Sequence, residues 1–374
     1  MAVSDFFTPF TFDGQRDDVA EGTFPLALKV KDTTSPTLES SITSLQALSK
    51  VGELSSLINH HGGSLLIRGL PIKTPQDYSL AAHAFGFRAH EEVGRPPNRT
   101  VLAKNVKTAN EGPPEMPIWP HNEYGWSTIN PAWLTFSCLT VPETGGETPI
   151  ISSLALASYI ERELPEFYKA LKEKGVRYIY RYSKETNSQS NTGASVTAAY
   201  GSEIRLGDEE EVVRKIEREV ERHSWKYEWH EDGGLSVTHV VPLIRKHLES
   251  GKTTFFGNLT SAYGRSKYYG ATKPPFLGDD GGYHPLPTYG DGSPIPTEFL
   301  ERALATAENL QVLVKWEAGD IVLLDNYAVM HSRKPWTGER KVLAALWDQD
   351  GRIGDFEEGV EILKGAPRIP IATV

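Results

Sequence analysis

Apolar positions recur at helical spacing from residue 39 to 59 and run into His60-His61-Gly62-Gly63, which predicts a helix and its stop. Ser64 to Leu70 reads as a short apolar strand closed by glycine, and Pro75 to Phe85 as a second helix. The stretch from Arg95 to Pro120 holds six prolines in 26 residues, reads as loop, and leads into His121. Beyond it the periodicity changes. Trp133 to Val141 alternates as a strand, Glu143 to Glu147 makes a turn, and Thr148 to Ile151 extends again. Residues 154–173 are helical, Val176 to Tyr182 alternates cleanly, and 184–207 reads as a long polar loop. A charged helix is predicted over Asp208 to Glu221; its acidic run suits a helix N-terminus. Short strands follow at Leu235 to Val241 and Thr253 to Asn258, then a loop rich in Gly, Pro and Tyr from Gly264 to Pro294. Pro296 to Leu310 is a helix with proline in its first turn. The last strands are Val312 to Trp316, Asp320 to Asp325, Val329 to His331 and Val342 to Trp347.

Many short strands with turns every 8–12 residues argue for a sandwich or barrel, and the helices gather early and in the connections. The expected fold is mainly β with flanking helices and a jelly-roll core. No repeat or interdomain linker interrupts it, so residues 1–374 are expected to form one domain. An N-terminal elaboration would span about 1–115 and the core about 116–350, with long inserted loops at 184–207 and 264–294. Composition narrows the function. With 39% hydrophobic residues the chain can bury a large core. A net charge of −10, without a basic stripe, makes nucleic acid an unsuitable partner. One cysteine, Cys138, allows neither an internal disulfide nor a cysteine-based zinc site. No run of 18 apolar residues could span a bilayer, and the N-terminal Met-Ala-Val-Ser-Asp-Phe-Phe lacks the regions of a signal peptide. A soluble cytoplasmic protein is expected, in which the sequons at Asn98 and Asn258 stay unused.

Eleven histidines without a cysteine framework direct attention to His/carboxylate metal sites. On a strand, residues two apart share a face, so His-x-Asp/Glu can act as a pincer. Three copies occur: His90-Glu91-Glu92, His121-Asn122-Glu123 and His230-Glu231-Asp232. Chance supplies about one or two at ordinary acidic content, so each taken alone reads first as a solvated pair. Context separates them. His230-Glu-Asp precedes Gly233-Gly234 and forms a hairpin turn, and His90-Glu-Glu follows a helix with no strand around it. His121-Asn-Glu stands where the proline-rich approach meets the core, beside Trp119, Tyr124 and Trp126. The best distant third ligand is His331, which closes an apolar strand; its plain alternative is a capped core histidine. Arg340 opens the last strand nine residues later, and its plain alternative is a surface charge.

Four blocks in order give these residues a common meaning: Trp119-Pro-His-Asn-Glu, Gly145-Gly-Glu-Thr-Pro, Trp316-Glu-Ala-Gly-Asp with Asp325-Asn326, and His331 with Arg340 and the strand after it. Over roughly residues 60 to 350 the chain resembles the Fe(II)/2-oxoglutarate-dependent dioxygenases of the taurine dioxygenase (TauD/TfdA) family, nearest its clavaminate-synthase-like branch. The resemblance implies a double-stranded β-helix with Fe(II) held by His121, Glu123 and His331. It also implies that Arg340 grips the distal carboxylate of 2-oxoglutarate, with a hydroxyl hydrogen bond from Thr148. Two histidines and one carboxylate leave open positions for 2-oxoglutarate and O2, and the planar fork of arginine suits a carboxylate. Asp325 and Asn326 read as structural, holding the turn that aims His331.

The implied reaction couples decarboxylation of 2-oxoglutarate to succinate and CO2 with oxidation of an unactivated C–H bond. Its substrate would be a small, amino-acid-like or carboxylate molecule, and its outcome hydroxylation, desaturation or ring closure. Sulfonate-using members carry a second arginine where this chain has Ala344, which argues against a sulfonate. Trp119, Tyr124, Trp126 and Trp347 are candidates to line the pocket, as are the three long loops. Two other readings compete: a zinc-type hydrolase using the same His/Glu/His site, and a non-catalytic jelly-roll binding protein. The first leaves Arg340 and Thr148 without a task, and the second would be favoured by the loss of a ligand, yet all three are present.

Overall fold

Alternation along three adjacent strands sets the architecture. In Trp133–Thr140, Ile321–Asp325 and Lys341–Asp348, successive side chains point to opposite faces. Leu134, Phe136, Val322, Leu324, Val342 and Ala344 enter one buried apolar cluster. Trp133, Ile321, Leu323, Leu343, Ala345 and Trp347 enter another, on the far side of the sheet. Strands apolar on both faces need cover on both faces. Helices Leu38–Lys50, Glu53–His60 and Pro75–His83 supply part of the second cluster. The first is shared with a second sheet and with helices Ser153–Glu163, Pro165–Lys174 and Thr297–Asn309.

The computed structural model describes residues 5–31, 35–50, 53–94, 99–109, 113–185, 195–201, 209–224 and 226–354. Its largest sheet has nine strands in the order Phe7–Pro9, Leu26–Val30, Ser64–Arg68, Ile321–Asp325, Trp133–Thr140, Lys341–Asp348, Val106–Thr108, Val101–Ala103, with Arg88–Ala89 also on Lys341–Asp348. Facing it across the first cluster is a four-stranded sheet, Val312–Val314, Thr148–Ser152, Val329–Arg333, Ile118–His121. A further sheet (Lys226–Trp229, Leu235–Val241, Val176–Tyr182, Thr288–Tyr289) walls the cavity described below. Only Leu26–Val30 on Ser64–Arg68 pairs in parallel among the described strands. The fold is mainly β with flanking helices around a jelly-roll core, as expected. Among the described residues no helix is long and apolar enough to cross a membrane.

The departures are local. The 39–59 pattern is carried by two helices, Leu38–Lys50 and Glu53–His60. The proline-rich approach contains the strands Val101–Ala103, Val106–Thr108 and Ile118–His121, and the 264–294 segment begins inside helix Leu259–Tyr268. His90 directly follows the two-residue strand Arg88–Ala89, whereas no strand was expected there. Elements of two to four residues offer too few periods for alternation to show. Most of the 184–207 loop lies outside the described residues; its described part contains helix Val196–Tyr200.

Candidate metal centre and its cavity

Strand pairing brings the two distant histidines together. Ile118–His121 runs antiparallel to Val329–Arg333 in a register that sets His121 directly opposite His331, with ring centroids 4.3 Å apart. Cross-strand partners are nearest neighbours on a sheet face. Glu123 arrives differently from the sequence expectation. The strand ends at His121, and Glu123 lies in the following turn, where the Gly125 N–H donates to the Asn122 carbonyl at 3.1 Å. Its position is therefore set by a turn and not by strand alternation.

Two buried asparagines fix that turn. The Glu123 N–H donates to Asn326 Oδ1 at 2.8 Å, and Asn326 Nδ2 donates back to the Glu123 carbonyl at 2.9 Å. Asn122 Nδ2 donates to the carbonyls of Asn326, at 2.7 Å, and Val329, at 3.2 Å. Asn122 Oδ1 accepts from the Gly257 N–H at 2.9 Å. The segment before His331 is thus tied to the segment carrying His121 and Glu123 by an amide lattice that leaves little freedom to either. Asn326 fills the structural role read from the sequence; Asn122 was missed, because an asparagine between two candidate ligands carries no distinguishing signal.

Ligand atoms of His121, Glu123 and His331 all lie within 4.8 Å of one another, so the three can hold one ion. Glu123 Oε2 faces both rings, 3.7 Å from His121 Nε2 and 3.5 Å from His331 Nε2. Its other oxygen, Oε1, accepts from Arg99 Nη2 at 2.7 Å. Burial pushes the Glu123 carboxyl up, but the Arg99 cation and the bond to His121 outweigh it and hold the group well below the usual carboxylate range. Burial, aided by His121, pushes His331 down to about 3, so its ring is neutral. His121 Nδ1 lies 2.9 Å from the Trp119 carbonyl, which can only accept; in the neutral ring the lone pair is then on Nε2, facing Glu123. Two imidazole nitrogens and one carboxylate oxygen fit a divalent iron ion. Arg99 had no sequence signal, since nothing marks it among the other cations of the proline-rich approach.

Thr148 and Arg340 line the same cavity. Thr148 Oγ1 accepts from the Trp316 indole N–H at 3.1 Å, and that donor leaves the hydroxyl hydrogen available to a ligand. Arg340 is oriented by Nε, which donates to the Gly146 carbonyl at 3.0 Å, and by the Trp336 ring, 5.4 Å from its Cζ. Burial lowers its pKa to about 10, so it remains a cation at neutral pH. The Gly145-Gly146 turn makes room for this arrangement. Both glycines have positive φ; a Cβ at Gly145 would sit 2.1 Å from the Pro335 carbonyl oxygen, and one at Gly146 3.0 Å from Arg340 Cδ.

The cavity has a volume of about 630 Å³. Tyr124 and Trp126 line it as expected, but Trp119 and Trp347 do not. Trp119 packs beside Gly264 and Tyr268, and Trp347 is buried in the opposite cluster with its indole on Thr135 Oγ1. The walls use two of the three suspected loops, through residues such as Arg99, Met116, His284 and Leu286. The other two His-x-acid copies lie elsewhere. His90 Nδ1 bonds Asp348 at 2.6 Å, and His230 turns the predicted hairpin with Nε2 on Ser236 Oγ at 2.8 Å.

The family model for "Taurine catabolism dioxygenase TauD, TfdA family" matches residues 29–347. A clavaminate synthase-like protein of Arabidopsis thaliana is 31% identical over 78% of this chain and 83% of its own length. The dapdiamide synthesis protein DdaC of Enterobacter agglomerans is 26% identical over 76% of this chain and 82% of its own. A taurine dioxygenase structure from Burkholderia xenovorans overlays with a TM-score of 0.44 at 13% identity, covering 92% of each chain. AAD-2 in complex with Mn(II) and N-oxalylglycine overlays at 0.46 and 13% identity, covering 93% of this chain and all of that one. At those scores neither overlay bears on this chain's residues or substrate. The family match and the Arabidopsis relative do decide the class: the chain belongs to the TauD/TfdA family, the non-haem iron dioxygenases that use 2-oxoglutarate and O2.

Proposed function

We propose that His121, Glu123 and His331 hold the Fe(II), that Arg340 and Thr148 hold the distal carboxylate of 2-oxoglutarate, and that the enzyme oxidises a C–H bond of a small amino-acid-like molecule. The outcome would be hydroxylation, or desaturation or oxidative ring closure. The observation that carries this reading is the meeting, in one cavity, of a His/Glu/His ligand set with a buried arginine and an oriented threonine hydroxyl. A zinc-type hydrolase would have no use for the last two. Relatives named for dapdiamide synthesis and as clavaminate synthase-like support a small-molecule substrate. The same reading makes the chain one cytoplasmic catalytic domain.

Bound iron with 2-oxoglutarate supplies O2 activation, yielding succinate and CO2. The chain's part is positional. Arg99 occupies Glu123 Oε1 and leaves Oε2 toward the metal, while Asn122 and Asn326 keep the ligands in place before the ion arrives. Thr148 donates to the co-substrate carboxylate while Trp316 holds its oxygen, and Arg340 presents its terminal nitrogens as a fork. Apolar walls at Phe136, Val342 and Ala344 exclude water from the reacting C–H.

The test is anaerobic addition of Fe(II) and 2-oxoglutarate to the purified enzyme, with expected growth of the weak visible charge-transfer band of the chelate. No band from a folded sample would sink the reading. Arg340→Ala is expected to raise the 2-oxoglutarate concentration for half-maximal band about tenfold to 100-fold, as loss of charged hydrogen bonds does. An unchanged titration would remove Arg340 from its assigned role.

A further inference from the structure

Two groups decide where the Glu123 carboxylate points, and both lead to a residue outside the cavity. Arg99 Nη2 donates to Glu123 Oε1 at 2.7 Å. Tyr124, the next residue, carries the turn with a φ of 54°, a left-handed conformation that a bulky residue seldom holds without support from its surroundings. Arg99 and Tyr124 meet at Glu92. The Tyr124 hydroxyl donates to Glu92 Oε1 at 3.1 Å, and that same oxygen lies 4.0 Å from Arg99 Nη1. Glu92 does not line the cavity; it comes from the His90-Glu91-Glu92 copy, whose histidine bonds Asp348.

Glu92 is itself fixed from the main sheet. Its side chain is 7% exposed, and Oε2 pairs with the Lys107 ammonium on strand Val106–Thr108. Lys107 stands opposite Ala344 of the last strand. The Thr108 N–H donates to the Thr100 carbonyl at 3.0 Å, and the Thr100 N–H to Thr108 Oγ1 at 3.1 Å, so the segment bearing Arg99 is tied to the same strand. On the other side the His90 N–H donates to the Leu346 carbonyl at 3.0 Å, and Val93 is buried in a cluster with Tyr182 and Tyr200. Lys107, Glu92, Arg99 and Glu123 thus alternate in sign. In so poorly solvated a place each charge depends on its neighbours. A neutral residue at position 92 would leave Arg99 and Lys107 without the acid between them, and Arg99 with Glu123 as its remaining acid among the described residues. An uncompensated cation there opposes the entry of a metal ion and competes for both oxygens of Glu123.

We propose that Glu92 is a positioning residue for Glu123: by holding the Tyr124 hydroxyl and the far side of the Arg99 guanidinium, it keeps Oε1 engaged and Oε2 turned to the metal. The proposal rests on the iron assignment above. Fe(II) is titrated anaerobically at saturating 2-oxoglutarate, with the charge-transfer band as the signal, and each variant is also melted without metal. Glu92→Gln keeps an oxygen for the Tyr124 hydroxyl and removes the charge. It is expected to raise the Fe(II) concentration for half-maximal band about tenfold to 100-fold, as loss of a supporting partner does, while the 2-oxoglutarate titration at saturating Fe(II) stays at the parent value. Arg99→Gln is expected to weaken Fe(II) at least as much. The double variant should be no weaker than Arg99→Gln alone, because Glu92 then has no guanidinium to act through; independent sites would add. Glu92→Asp keeps the charge at shorter reach, gives a smaller loss of the same kind, and carries the test should Glu92→Gln not fold. A missing band in the parent defeats the underlying assignment. Parent-like Fe(II) titration in every folded Glu92 variant, even with a lowered melting temperature, overturns the proposal and leaves Glu92 a role in folding alone. Losses from Glu92→Gln and Arg99→Gln that add in full overturn it as well.

Discussion

His331→Ala is expected to show no charge-transfer band at any Fe(II) concentration that saturates the parent enzyme, and no succinate release above the metal-free background. The side chain supplies one of three donors gathered within 4.8 Å, and no other histidine or acid stands by to replace it among the described residues. Its loss leaves His121 Nε2 and one oxygen of a carboxylate whose other oxygen is engaged by Arg99. Loss of a supporting partner alone typically costs about 10–100-fold in metal affinity, and loss of a ligand costs more. His90→Ala and His230→Ala are the controls. Each breaks a hydrogen bond to Asp348 or Ser236 and neither touches the cavity, so both should keep the band. A band retained in His331→Ala, or lost in a folded His230→Ala, would show that the wrong pincer had been chosen.

The contrast between those histidines also shows what could be read from the chain. His121, Glu123 and His331 carried chemistry in their surroundings: a loop-to-core junction, an apolar strand end, and a glycine turn and arginine at definite spacings. Val176–Tyr182 was legible because burial on one face of a sheet imposes a period of two, and Lys341–Asp348 because a short apolar run buried on both faces stands out between polar flanks. What stayed hidden depends on tertiary contact. Arg99 meets Glu123 across 24 residues with no pattern to announce it, and Asn122 looks like any spacer until its amide is seen reaching Asn326 and Val329. The sequence put Glu123 beside His121 by strand alternation, whereas a turn after the strand sets its position, and turn geometry was not readable from the sequence. The global charge of −10 gave no hint that, among the described residues, several arginines line the cavity.

Asp325→Ala is expected to lower stability by about 3–5 kcal/mol, the cost of breaking a buried ion pair from one side. Asp325 ends the strand that precedes His331 and is essentially inaccessible, as are its partners. Oδ2 receives Arg352 Nη2 and lies 3.0 Å from His247 Nε2, while Oδ1 accepts the Tyr327 N–H at 3.0 Å. A carboxylate only accepts, so His247 donates from Nε2 and its Nδ1 is free to accept from Ser250. Arg352 in turn reaches Glu249 and stacks on Trp133, with Cζ 4.2 Å from the ring centroid. Alanine would leave that cation buried with Glu249 as its sole acid and would release the turn leading to Asn326. Burial pushes the Asp325 carboxyl up, but His247 and Arg352 outweigh it and the pKa is lowered on folding. The ionised group therefore stabilises the fold fully above its unfolded value of about 3.9, and that contribution fades as pH falls through the lower folded value. Denaturant melts of parent and Asp325→Ala should differ most near neutrality and converge below about pH 4. A difference constant with pH would mean that the lost contacts are steric. No difference at all would remove the network from the forces that hold the Asn326 clamp, and with it the preorganisation of the site.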